Sequence, residues 1–199
     1  MNATSEKKKR NPSGQVLIEI VMALPIFFVF IYGIAEFSNL LVQAQRVSSL
    51  SREAANAAYR DCNDRVDVKK ADDAEAKIKL NKCVSDEVNQ INDGANNGHL
   101  LPNFAAGGTV IASLYAFDPV NKVPVLMSQE SAGEGGGSSR FDEHNTDLAA
   151  ITANLGIVGV GEAIYTYHPL IPHLQGFLQW MFGLGGVVIP DAIHETTVF

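Results

Sequence analysis

One stretch restricts the folds open to this chain more than any other. Residues 15–35, QVLIEIVMALPIFFVFIYGIA, contain no Lys, Arg or Asp, and Glu19 is their only charged residue. About 20 apolar residues in helical form span the hydrocarbon core of a bilayer. Lipid gives the backbone no hydrogen-bond partners, so a lone crossing segment must be helical. The basic block Lys7-Lys8-Lys9-Arg10 precedes it. Basic residues flank membrane segments on the cytoplasmic side, so the N-terminus is expected inside and everything after Ala35 outside.

Two residues set this segment apart from a plain anchor. A carboxylate near the bilayer centre costs on the order of 3 kcal/mol, so Glu19 calls for a partner. Gly14 marks the border between polar leader and apolar helix, and Glu19 is the fifth residue after it. The pattern resembles a type IV prepilin cleavage site, cut after the glycine on the cytoplasmic face, between Gly14 and Gln15. Glycine puts no side chain in the way of an extended scissile bond. Cleavage would leave an apolar helix with a free amine, and pairing of that amine with Glu19 of a neighbouring subunit would relieve the cost of burial.

Further motifs follow. Pro25 lies six residues after Glu19; then come Gly33-Ile34-Ala35-Glu36-Phe37 and Ser51-Arg52-Glu53-Ala54-Ala55. Over 14–58 the chain resembles the TadE-like family, minor pseudopilins of the tight-adherence (Flp) pilus system. Where that family often has another arginine in the Ala-rich part, this chain has Asn56. The resemblance implies an assembly component and not an enzyme. Its implied partners are the inner membrane, a prepilin peptidase, other pilins or pseudopilins and the pilus assembly platform. A permanently anchored periplasmic binding or sensor domain, never cleaved, is the competing reading. A cleaved secretory signal fits less well, because its apolar core is usually shorter.

The 199 residues carry a formal charge of −7. The leader 1–14 holds four basic residues and one acid, which leaves 11 basic against 21 acidic residues beyond it, a net of −10. An acidic exported part argues against nucleic acid as a partner. Cys62 and Cys83 both fall on the expected exported side, where an oxidising compartment permits a bridge. Two separate thiols are the alternative, and their proximity favours the bridge.

The expected fold is α+β: a long N-terminal helix, transmembrane in its first half, carrying a small antiparallel sheet. Its parts are a leader (1–14), a transmembrane helix (15–35), an amphipathic continuation (36–60) and an exported domain (61–199). Phe37, Leu40, Leu41, Ala44, Val47, Leu50, Ala54 and Ala58 recur at three and four, with Gln45, Arg46, Ser49, Arg52, Asn56 and Arg60 opposite. A helix from Gln15 to about Tyr59 would be roughly 67 Å long. Asn11-Pro12-Ser13 reads as a poor helix former just before it.

Residues 71–84 read as a short solvated helix and 93–98 as a turn cluster. Residues 109–117 and 123–128 read as a hairpin. The GEGGGSS run at 133–139 reads as a flexible loop by composition, continuing to 147 along the sheet edge. Residues 154–168 form the third expected strand, with Gly156, Gly159 and Gly161 suggesting a bend or bulge. Residues 187–199, interrupted by Pro190, read as a kinked edge strand. The apolar stretch 173–183 reads either as a short helix covering the sheet or as a finger touching membrane or a pilin partner.

Asp61, Asn63 and Asp67 lack the glycine and terminal glutamate of a calcium loop. The histidines form no ligand motif, no nucleophile elbow is present, and the dispersed acids read as surface. No cofactor or metal is expected.

Overall fold

The computed structural model describes residues 12–67, 70, 73–98, 101–142, 144–170 and 191–199, with side chains from residue 16 onward. The fold is α+β. Helix α1, Pro12–Cys62, is 51 residues long, about 76 Å at 1.5 Å per residue. From Val16 to Ala35 nothing described covers it, and every position but half-buried Val29 is exposed. This part is long and apolar enough to cross a membrane once. Pro25 sits inside it and takes one donor out of the helical ladder. The helix starts three residues before the expected Gln15. Proline at the first turn gives up only an N–H that has no helical acceptor there, so Pro12 begins the helix instead of blocking it.

The second half of α1 carries the domain. After a 3-10 turn at Asn63–Arg65, α2 spans Ala74–Asn97 and a short α3 spans Phe104–Gly107. Strands β1 (Gly108–Asp118) and β2 (Val123–Ala132) form the expected hairpin, slightly longer than predicted. Helix α4 (Thr146–Leu155) leads into β3 (Ile157–Thr166), and β4 (Ala192–Val198) closes the sheet. The order is β2-β1-β3-β4, antiparallel throughout, with a register shift between Leu114 and Tyr115. As expected, β4 is an edge strand; residues 187–190, Pro190 included, lie outside the described residues.

Strand alternation divides the side chains between two faces. On the inner face Val110, Ala112, Leu114 and Ala163 meet Val47, Leu50, Ala54 and Ala58 of α1 and Leu80, Val84 and Val88 of α2. On the outer face Tyr115, Val158 and Val160 pack with Leu148 of α4. Arg46, Arg52, Asn56 and Arg60 are exposed, as the periodicity predicts. Phe37 and Leu41 are exposed as well, so the buried stripe is narrower at its start than expected.

Four expectations about the domain are corrected. The turn cluster 93–98 is the last stretch of α2, held in the helix because Ile91 and Ala95 are buried. That helix is not solvated throughout, since six of its residues are buried. The 140–147 excursion contains the start of α4, where the Asn145 carboxamide oxygen accepts from Asp147 N and Leu148 N. Residues 133–140 lie against the sheet's outer face and not along its edge. There Gly135 N donates to Gly108 O (3.0 Å), and a Cβ on Gly137 would stand 2.4 Å from Ile164 Cδ1.

The glycines of β3 have a different role from the one expected. A Cβ on Gly161 would fall 2.1 Å from the Ser51 carbonyl oxygen, and one on Gly159 would fall 2.7 Å from that of Ala55. These glycines let α1 press its backbone onto the strand. They are not a bend: the register of β1 and β3 runs unbroken past both.

Candidate functional site at the helix–domain junction

Glu36, Asn39 and Gln43 follow the apolar stretch at helical spacings of three and four, so they share one face of α1. That face meets the chain leaving β3. The Glu36 carboxylate is buried and accepts from both the Tyr167 hydroxyl and Leu170 N (3.1 Å). Asn39 Nδ2 donates to His168 O at 3.1 Å, and Gln43 Nε2 donates to the same carbonyl at 2.9 Å and to Asn39 Oδ1 at 3.0 Å. Both carboxyl oxygens of Glu36 are thereby hydrogen-bonded, as a buried polar group requires. Burial, and secondarily the neighbouring Glu36 carboxylate, pushes the Tyr167 hydroxyl up to about 12. It therefore stays protonated and donating at neutral pH. The junction binds the end of β3 to α1 one residue past the apolar stretch.

A second polar cluster lies on the sheet's outer face. Glu162 is fully buried; its Oε1 accepts from Arg140 N (2.9 Å) and lies 3.2 Å from His194 Nε2. Among the described residues its Oε2 and the buried hydroxyls of Thr109 and Ser113 have no hydrogen-bond partner. Glu36 and Glu162 thus correct the expectation that the acids are surface residues. The Glu162 cluster is closed under the glycine-rich strap and fastens that strap to the sheet.

The residues singled out from sequence are spread along α1. Gly14 and Gln15 belong to its first turns, and Glu19 and Pro25 to the exposed apolar part. Cys62, at its far end, is bridged to Cys83 of α2 with Cα atoms 6.0 Å apart. Helix α1 separates these positions, and the structure does not bring them together. Asp61, part of the rejected calcium pattern, pairs with Arg60 at 2.8 Å. Among the described residues no group of three or more His, Cys, Asp or Glu could hold a metal. His99 and His173 lie outside the described residues. An open groove of about 540 Å³ between α1 and α2 is lined by the apolar Leu50 and Ile91 together with Glu53, Asn56, Arg60, Glu87 and Gln90.

Sequence reasoning noted Glu36 as part of a motif but missed its partners. The available signal was a Glu-x-x-Asn-x-x-x-Gln spacing that puts three polar residues on one face just past an apolar run.

Residues 14–56 match the family model described as TadE-like protein. No curated protein and no solved structure in the comparisons matches the chain. The matched segment contains the helix side of the junction, Glu36 to Gln43, and Ser51 to Ala55, which meet the β3 glycines. The strand partners lie outside it.

Proposed function

We propose that this chain, TadE-like over residues 14–56, is a single-pass minor pseudopilin that acts in assembly of a tight-adherence (Flp-type) adhesive pilus. The observation that carries this reading is the family match over an apolar helix whose first 20 described side chains are nearly all exposed. Such a surface suits lipid before assembly and neighbouring helices afterwards. The N-terminus would be cytoplasmic and the sheet domain periplasmic, on the inner membrane of a bacterium. A prepilin peptidase would cut between Gly14 and Gln15, and Glu19 would pair with a neighbour's new amine. Other pilins and the assembly platform would be its partners. The role is structural and not enzymatic.

One observation favours a second reading, an uncleaved anchored binding or sensor domain. Helix α1 runs without a break from Pro12 through Gly14 and Gln15, so the proposed scissile bond is helical. Proteolysis there requires the first turns to fray, which helix ends do readily.

Mass spectrometry of the mature N-terminus from native membranes separates the two. A terminus at Gln15 that disappears when the prepilin peptidase is deleted supports the pseudopilin. An intact leader supports the anchored domain and removes the filament mechanism. In the first case Glu19→Ala is expected to insert normally and to impair pilus assembly.

A further inference from the structure

The stretch 171–190 leaves and re-enters the described structure at one level of α1. At its start Leu170 donates its N–H to Glu36 Oε2 (3.1 Å). At its end the Asp191 carbonyl accepts from Tyr167 N (3.0 Å), and Tyr167 in turn donates its hydroxyl to Glu36. The sequence between, IPHLQGFLQWMFGLGGVVIP, has no Asp, Glu, Lys or Arg and holds Phe177, Trp180, Met181 and Phe182. Twenty residues going out and back give ten each way, about 15 Å if helical and about 33 Å if extended.

Two directions along α1 are open from that level. Toward the domain, the Glu36 face continues through Gln43, Val47, Leu50 and Ser51, all buried beneath the domain. Toward the N-terminus, the same face continues through Gly33, Tyr32, Val29 and Pro25 at helical spacings, and no described element covers it. Tyr32 is 45% exposed, and no atom lies within 4 Å of where a Cβ on Gly33 would stand. Pro25 is 11 residues from Glu36, about 16 Å along the axis, which is within reach. Val29 belongs to this face and is the one half-buried position between Val16 and Ala35.

We propose that the face formed by Pro25, Val29, Tyr32 and Gly33 is the docking site for this chain's own segment 171–190. The chain then places two elements in the apolar layer. One is the crossing helix; the other enters and returns on the domain side. A stretch without Asp, Glu, Lys or Arg tolerates that medium, and Gly33 offers a shallow notch for close approach. The inference rests on α1 spanning a membrane and not on pilus assembly.

Trp180 is the only tryptophan, and the only two cysteines are joined to each other. A nitroxide on a single introduced cysteine therefore reports contact by short-range quenching of Trp180. The full chain is reconstituted in phosphatidylcholine vesicles with the label on Val29→Cys, Gly33→Cys or, on the opposite face, Ile34→Cys. Most of the Trp180 emission is expected to be lost with labels at 29 and 33 and little with the label at 34. Equal quenching from both faces, or none from either, overturns the proposal. So does quenching that appears only when labelled chains carrying Trp180→Phe are mixed with unlabelled chains, because the occupant is then a second copy. Relaxation of the same nitroxides by oxygen against a water-soluble nickel chelate shows whether the helix is in lipid. Failure of the span and failure of the contact are thus read separately.

Discussion

The Tyr167 hydroxyl donates to the Glu36 carboxylate across 131 residues of sequence. Each side of this bond meets a need of the other. The carboxylate is buried and requires donors, and the tyrosine lies where the chain leaves the sheet. Tyr167→Phe keeps the ring and removes the donor, which leaves one Glu36 oxygen buried without a partner. A loss of about 1–3 kcal/mol is expected. Denaturant unfolding of the full chain in detergent, followed by near-UV circular dichroism, measures it. A loss indistinguishable from zero would show that the bond is idle.

Gly161 and Gly94 make a matched pair. Alanine at 161 would drive its Cβ into the Ser51 carbonyl, so Gly161→Ala is expected to cost more than about 1–3 kcal/mol or to prevent domain folding. Alanine at 94 meets nothing within 4 Å and lies inside α2, where it should stabilise by up to about 1 kcal/mol. Thermal unfolding of both variants should therefore shift in opposite directions; shifts of the same sign would contradict the assigned contacts.

The bridge from Cys62 to Cys83 closes a loop with a sequence separation of 21. In the loop-entropy description it adds about 3 kcal/mol by restricting the unfolded chain. Replacing both cysteines by serine should lower stability by roughly that amount while Tyr167 stays in contact with Glu36. Both cysteines are buried, so reductant should act slowly on the native protein and quickly in denaturant. Thiol labelling over time tests this, and equal rates in the two conditions would refute it.

Alkali should loosen the domain. Burial pushes both Tyr165 and Tyr167 up to about 12, against an ordinary value of 10. A group whose pKa is raised by folding contributes stability that is complete below the unfolded value and lost as pH climbs through the folded one. Stability from these hydroxyls should therefore be intact at pH 9 and fall between about pH 10 and 12. Tyrosinate absorbance should rise together with loss of near-UV signal; for Tyr167→Phe the rise should be smaller.

Much of this architecture is legible in the sequence, and the errors have physical causes. The long helix was readable because residues 34–60 contain no proline or glycine to interrupt a regular apolar period. The β1–β2 hairpin was readable because Asp118 and Asn121 punctuate two apolar runs; the Asp118 carboxylate accepts from Val120 N at 2.8 Å. The end of α2 was not, because Asp93, Gly94 and Asn96 favour turns locally and only the burial of Ile91 and Ala95 holds them helical. Helix α4 was missed although Asn145 before Leu148 and Ile151 is a capping pattern. Gly159 and Gly161 were misread because close approach and bending leave the same mark in sequence. At the junction, Glu36 could be singled out but Tyr167 could not, since nothing local announces a partner on a distant strand. The two readings of 173–183 stay open, because that stretch lies outside the described residues.

The clamping of the domain also governs how it bears force. It is fixed to α1 at one end by the Glu36 junction and at the other by the Cys62–Cys83 bond, about 39 Å apart at 1.5 Å per residue. Between them the β3 glycines lie flush with the helix backbone. Tension along the helix axis therefore loads this contact in shear, spread over many interactions. It does not peel them apart one after another, because neither end is free to start the tear.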